Sequence, residues 1–410
     1  MTAAVVTPVD LSDDETFRSG FPHEFFTWLR DHQPVYWHEP TPRTPDGEGF
    51  WVVSRHADVN AVQRDPVTYS SDRAGIRERG GTAIKDERTA GTMLNQTDDP
   101  QHQRLRTLVS RGFTPRAVAE LRDELRRRAE RMLADAGTET FDFAHGFARE
   151  LPSQAICIVL GVPAEDQPAL LDWLDAGIEA DSPSILSADA MRKIRTYAID
   201  LIAYKRVHPD PGIMSTIVHA RSDEDGSGLT DAELIAFFAL LFPAGAETTR
   251  SAIAGALKAF IDHPDQFDRL VADPSLVPSA VEEIVRWTTP SIYKRRTASR
   301  DVDLAGTAIA AGDKVTFWEM SANRDERVFA DPFVFDVGRN PNPHLGFGWG
   351  AHFCLGASLA RLEIRVALEL LVERYAGFEL AGPTAWMPNN RLLGLKALPV
   401  RMIPRQETLR

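Results

Sequence analysis

Ten consecutive residues, Phe347-Gly348-Trp349-Gly350-Ala351-His352-Phe353-Cys354-Leu355-Gly356, set one of only two cysteines in this 410-residue chain inside a glycine-studded turn. With 27 glycines, 21 phenylalanines, 11 histidines and 2 cysteines, the pattern F-G-x-G-x-H-x-C-x-G arises by chance in about one such sequence in a million. Gly348 and Gly350 permit backbone conformations and close approaches that a side chain forbids. Amide hydrogens can then point at the sulfur, and a flat cofactor can lie against the loop. Residues 355–371 carry Leu, Ala and Val at helical spacing, which predicts a helix whose positive end lies at Cys354 and lowers its thiol pKa. A thiolate at neutral pH, presented to iron, is the chemistry this arrangement suits. A structural cysteine needs no glycine cage. Cys157, within Ala155-Ile156-Cys157-Ile158-Val159-Leu160, fits that plainer description and is assigned no role.

A second group is Ala244-Gly245-Ala246-Glu247-Thr248-Thr249, inside residues 234–261, which are apolar on nearly every face and so predict a buried helix. A carboxylate there needs a reason. Pro243 lacks an amide hydrogen and Gly245 supports a helix weakly, so a kink or opening is expected where Thr248 and water enter the hydrogen-bond ladder. A plainer account pairs Glu247 with Arg250 and lets the threonines bond the preceding turn. Glu283 and Arg286, in Glu282-Glu283-Ile284-Val285-Arg286-Trp287, form an i, i+3 pair of a kind common on exposed helices.

The cysteine loop resembles the heme-binding signature of the cytochrome P-450 superfamily, soluble bacterial type, and the similarity runs from about residue 21 to 404. The resemblance implies a mainly α fold with small β-sheets around a buried heme b (iron protoporphyrin IX). Cys354 would be the fifth iron ligand, with Phe347 and Gly348 beside the cofactor. An axial thiolate donates electron density that favours oxygen–oxygen cleavage, and the protein's task is then to bind, orient and tune the porphyrin. Carried over residue by residue, Glu247 is an acid and Thr248 an alcohol that deliver protons to dioxygen. His102 and Arg106, one turn apart in Asp98-Asp99-Pro100-Gln101-His102-Gln103-Arg104-Leu105-Arg106, are implied to meet the heme propionates together with Arg296 and His352. Glu283 and Arg286, joined by Arg339, are implied to hold the proximal side. Leu240, Ala244, Ile292 and Leu393 are implied to line the substrate pocket.

The activity so implied is that of a heme-thiolate monooxygenase acting on a largely apolar molecule: a steroid, terpenoid, acyl chain or natural-product intermediate, free or tethered to a carrier protein. Ring closure and oxidative coupling stay open. A peroxide-driven oxidase or an isomerase is the rival among enzymes, and retention of Glu247 and Thr248 weighs against it. A heme protein that only senses or carries a ligand is the rival outside them. No flavin or iron–sulfur motif is fused to the chain, so ferredoxin and ferredoxin reductase are the expected electron donors. Arg104, Arg111, Arg361 and Arg365 predict a basic proximal patch for an acidic ferredoxin.

The elements that must position these residues fit one framework. With 43% hydrophobic and 26% charged residues the chain is of ordinary globular composition. A net charge of -13 argues against a general nucleic-acid binder. Residues 1–15 lack a basic, apolar, cleavable leader and 234–246 are too few to span a bilayer, so no membrane association and a cytoplasmic location are expected. Two cysteines leave no disulfide framework. Residues 1–20 read as a flexible segment ahead of a single domain, 21–410. A strand is expected at 49–53 and a short helix at 58–62, then an aperiodic stretch at 72–97 that suits a lid or a surface loop. Helices are expected to dominate from 99 to 371, with breaks near 181–188, 209–212 and 223–228. Strands are expected near 297–304, 314–317 and 398–403.

Overall fold

Helical periodicity governs most of the computed structural model, which describes residues 9–135, 140–178, 188–223 and 225–405. The first helices are α1 (His23–His32), α2 (His56–Arg64), α3 (Gln101–Ser110), α4 (Pro115–Ala119) and α5 (Arg122–Asp135). Next come α6 (Glu150–Leu160), α7 (Gln167–Ile178), α8 (Ala188–Val207) and α9 (Ile213–His219). The long α10 (Asp231–Asp262) is followed by α11 (Pro264–Ala272), α12 (Val277–Thr288), the short α13 (Glu319–Ala322) and α14 (Ala357–Arg374).

Strands are short. They are β1 (Val35–His38), β2 (Phe50–Val53), β3 (Tyr69–Ser70), β4 (Thr140–Asp142), β5 (Lys294–Ala298) and β6 (Val302–Leu304). The remainder are β7 (Thr307–Ile309), β8 (Lys314–Phe317), β9 (Tyr375–Leu380), β10 (Ala385–Trp386), β11 (Leu395–Ala397) and β12 (Pro399–Pro404). The largest sheet has the order β1-β2-β8-β5-β3, with β2 and β8 parallel and its other neighbours antiparallel. A three-stranded sheet, β4-β12-β9, and two hairpin-sized pairs complete the β structure. The fold is mainly α with small sheets, as expected.

The N-terminus of α10 is fixed by reciprocal bonds. Glu233 N–H donates to Thr230 Oγ1 at 3.3 Å, and Thr230 N–H donates to Glu233 Oε2 at 2.8 Å, satisfying two donors that a helix start leaves open. Leu234, Phe237, Phe238, Phe242, Ile253, Leu257 and Phe260 are buried along its length, against α6, α8, α12 and α14. Each such side chain contributes about 1.5–3 kcal/mol when fully buried, which is what holds this helix at the centre. By length and composition α10 could cross a membrane, but its apolar faces are taken up by neighbouring helices. α10 stays helical through Pro243. Thr248 Oγ1 donates to the Ala244 carbonyl at 2.8 Å, so the hydroxyl bonds the preceding turn, as the plainer account of the threonines expects.

The flexible segment expected at 1–20 also needs correction. Residues 1–8 lie outside the described residues, but Leu11 and Phe17 are wholly buried, and Phe17 stacks on Trp318 with ring centroids 6.2 Å apart. Two apolar anchors outweigh the acidic composition around them. Of the expected breaks, 181–187 lie outside the described residues. The other two separate α8 from α9 and α9 from α10. The aperiodic stretch at 72–97 is fastened by buried Ile84 and by Asp86, which pairs with Arg295 at 2.6 Å.

Candidate functional site

The cysteine loop leads from the segment after α13 into α14. Gly348 and Gly350 have φ of +69° and +73°, values that suit glycine. A Cβ on Gly350 would come 2.7 Å from the Gln63 carbonyl oxygen, so the loop rests directly on α2. Cys354 N–H donates to the Phe347 carbonyl at 2.9 Å, and Phe353 N–H to Gly350 at 3.1 Å, closing the turn on itself. Cys354 is open to a solvent-sized sphere although protein surrounds it, which places the sulfur on an internal space. Burial pushes the thiol pKa up. The Gly356 N–H bonded to sulfur and the charges of Lys294, Arg106 and Arg361 act in the opposite direction. α14 begins at Ala357, so Cys354 lies just ahead of the helix start, and in the polypeptide alone burial works against the anionic thiol expected there. A metal cation at the sulfur would reverse that balance.

Beside the loop, four sequence-predicted residues converge. The rings of His102 and His352 lie 4.1 Å apart, and burial together with Arg296, His102 and Arg106 holds His352 neutral, its pKa pushed down to about 2. His352 Nε2 meets Ser71 Oγ at 3.0 Å, and Ser71 N–H donates to Asp98 Oδ1 at 2.8 Å. Arg296 is buried, which lowers its pKa to about 10, while Asp98 and Glu319 act in the opposite direction. Among the described residues neither Arg106 nor Arg296 has a salt-bridge partner, and the buried His102 Nε2 has no hydrogen-bond partner. Unmatched cations and an orphaned ring nitrogen at one edge are what a group bearing carboxylates would satisfy. The residues present therefore fit a flat dianionic cofactor.

Glu247 and Thr248 lie midway along α10. Glu247 is buried beside Arg250, 3.5 Å away, so the plainer ion-pair account is realised in the geometry. Ala244 is exposed, Pro243, Gly245 and Thr248 are half-buried, and Ala246, Glu247 and Thr249 are buried, so the more open positions group around Ala244. Leu240 is half-buried on the same helix. Ile292 and Leu393 lie deeper than Leu240 and Ala244. Both are buried in a cluster with Phe26, Tyr293 and Trp318, and their strand-neighbours Ser291 and Leu392 are the more open residues. Alternation along an extended chain turns each apolar residue away from its neighbour's face.

Arg286, wholly buried on α12, holds Glu283 through Nε and Nη2, both at 2.7 Å, and donates to the carbonyls of Asn323, Pro332 and Val334. Arg339 joins from the following segment, its Nε 3.1 Å from Glu283 Oε2. The expected trio is assembled, and it ties α12 to the chain that leads into the cysteine loop.

The expected basic patch is not a set of free cations. Arg104 pairs with Glu233, Arg111 with Asp223 at 2.7 Å, and Arg361 with Glu282 at 2.6 Å, leaving Arg365 exposed. Their partners lie on other elements, out of reach of a reading by local spacing. The loop instead exposes Trp349 and Phe353, with Arg64 against the Trp349 ring at 5.1 Å. Ser71 and Asp98 were missed by sequence reasoning, because single polar residues in a loop carry no pattern. A cleft of about 580 Å³ lined by Arg128, Arg131, Arg149 and Gln154 lies elsewhere and contains none of the predicted residues.

Residues 188–402 match the family model described as Cytochrome P450. The chain belongs to the cytochrome P450 family. It is 49% identical to cytochrome P450 126 of Mycobacterium tuberculosis over 98% of this chain and 99% of that one. Identity to a methyl-branched lipid omega-hydroxylase of Mycobacterium bovis is 40%, over 94% of this chain and 91% of the relative. Among solved structures, a Mycobacterium marinum cytochrome P450 in complex with pseudoionone superposes with a TM-score of 0.86 at 33% identity, covering 97% of this chain and all of that one. As a cytochrome P450 this chain is a heme-iron oxidoreductase, and the edge formed by His102, Arg106, Arg296 and His352 is suited to the carboxylates of its heme.

Proposed function

We propose that this cytochrome P450 is a heme-thiolate monooxygenase that inserts one oxygen atom of dioxygen into an apolar, methyl-branched lipid or terpenoid, using electrons from a ferredoxin and its reductase. The observation that carries the reading is Cys354 in its glycine loop, facing internal space beside an edge of unmatched cations. Heme b, when bound, supplies the activation of dioxygen, and thiolate ligation favours oxygen–oxygen cleavage.

The chain's own residues do the rest. Cys354 holds the iron, and the Gly356 N–H bonded to its sulfur tempers the thiolate charge. His102, Arg106, Arg296 and His352 would hold the two heme carboxylates, and Phe347 and Gly348 would stand beside the cofactor. Glu283, Arg286 and Arg339 keep the segment before the loop in place. Thr248 holds a proton at Oγ1 and Glu247 passes protons toward it from the Arg250 side, a role suited to a carboxylate kept inside an apolar helix. Leu240 and Ala244 shape the space for the substrate; small Ala244 leaves room where a longer side chain would fill it. The packed chain, from Leu11 and Phe17 onward, acts as one domain around this centre, in the cytoplasm. The substrate class is supported by the two relatives named for, or bound to, branched apolar molecules.

Reconstituted with a ferredoxin, its reductase and reduced nicotinamide, the enzyme should convert a methyl-branched fatty acid to an alcohol carrying one atom from isotopically labelled dioxygen. Label drawn from water, or turnover with peroxide but none with dioxygen and reductant, overturns the proposal.

A further inference from the structure

Lys294 and Glu319, whose charges reach Cys354 and Arg296, form an ion pair behind the cysteine loop. Lys294 opens β5, and its ammonium reaches Glu319 Oε2 at 2.7 Å and Ser291 Oγ at 2.8 Å. Glu319, the first residue of α13, is 1% exposed, and its other oxygen accepts from Gln63 Nε2 at 2.9 Å. Both carboxylate oxygens thus accept from donors, the geometry of an ionised group. Burial raises the Glu319 pKa, and Lys294, Arg296 and Gln63 oppose that rise.

The pair borders the cysteine loop. A Cβ built on Gly348 would lie 3.7 Å from Glu319 Oε1, so the carboxylate backs directly onto the cysteine loop. Lys294 is near enough to Cys354 for its charge to act on the thiol, as Arg106 and Arg361 do. Lys294 and Arg296 stand two apart in β5 and so share a face of the strand. Arg296 belongs to the cationic edge described above, and Lys294 extends that edge toward the loop. In a medium of low dielectric these charges act more strongly on their surroundings than surface charges do. A cation there favours the state with one more electron at the centre, and an anion disfavours it; hydrogen bonds and net charge around a ligand sulfur are known levers on potential.

We infer that the Lys294–Glu319 pair sets the electrostatic field at Cys354, acting through the thiolate as a balanced positioning pair that keeps the iron reducible by its donor. The inference rests on the heme-thiolate reading. Loss of Lys294 leaves a buried anion against the loop and lowers the midpoint potential. Loss of the Glu319 charge leaves the cation and raises it.

The test uses heme-loaded wild type, Lys294→Met, Glu319→Gln, the double variant and Lys294→Arg, each titrated spectroelectrochemically after its reduced carbon-monoxide spectrum is recorded. Opposite shifts in the two single variants, near-cancellation in the double variant and a wild-type potential in Lys294→Arg support the inference. A thiolate-type spectrum with an unchanged potential in Lys294→Met, or shifts of the same sign in both singles, overturns it while leaving the heme-thiolate reading intact. A wild-type spectrum of imidazole type defeats both. Lys294 is partly exposed, so Lys294→Met decides the question even where Glu319→Gln fails to fold.

Discussion

Thr248 bonds its hydroxyl to the Ala244 carbonyl, 2.8 Å away, and so holds a proton donor at a half-buried turn of α10. Its value to the enzyme lies in that proton. Positioned acid–base groups contribute about 10²–10⁴-fold, so Thr248→Ala should lower product formed per reductant oxidised by at least about tenfold while reductant use continues. Parallel assays of nicotinamide oxidation and product measure this; unchanged coupling would assign proton delivery to another group. At this scale the sequence was most legible where residue type and spacing are both unusual. Cys354 among its glycines and the Glu283, Arg286, Arg339 trio are found where expected. Ile292 and Leu393 lie in the buried cluster around Trp318 while Ser291 and Leu392 are more open, a difference that apolar type alone does not mark. Arg104, Arg111 and Arg361 were misread because their carboxylate partners come from other elements.

Between elements, α12 and the chain ahead of the cysteine loop are joined by Glu283, which accepts from Arg286, Arg339, Asn342 and the Asp336 N–H. Removing this carboxylate leaves Arg286 charged and wholly buried. Breaking a buried pair costs about 3–5 kcal/mol, against about 0–1 for an exposed one. Glu283→Leu is expected to lose stability in the upper range when urea unfolding of the heme-loaded protein is compared with wild type. A loss in the range of an exposed pair would show that the trio does not hold the loop. The apolar run at 234–261 marked α10, which starts a little earlier, at Asp231, where Thr230 and Glu233 cap it. That α10 stays helical through Pro243 was not readable from the residue itself, because packing against α6, α8, α12 and α14 supports the turns on both sides.

Over the whole molecule, the chain ahead of α1 is part of the packed structure: Phe17 and Leu11 join Phe26, Tyr293 and Trp318 in one buried cluster. Composition concealed this, since two apolar side chains among acidic residues read as a loose tail, and only the groove beside Trp318 gives them a place. Phe17→Ala should cost about 3–5 kcal/mol, the range for truncating a buried aromatic residue, read as a lower urea midpoint. A midpoint within error of wild type would restore the flexible-segment reading. The central claim is that Cys354 is the thiolate ligand of a heme, and the absorption spectrum of the dithionite-reduced, carbon-monoxide-bound protein tests it before any substrate is known. A strongly red-shifted Soret band of thiolate type is predicted; an imidazole-type band, or a protein that retains no heme, would contradict the account.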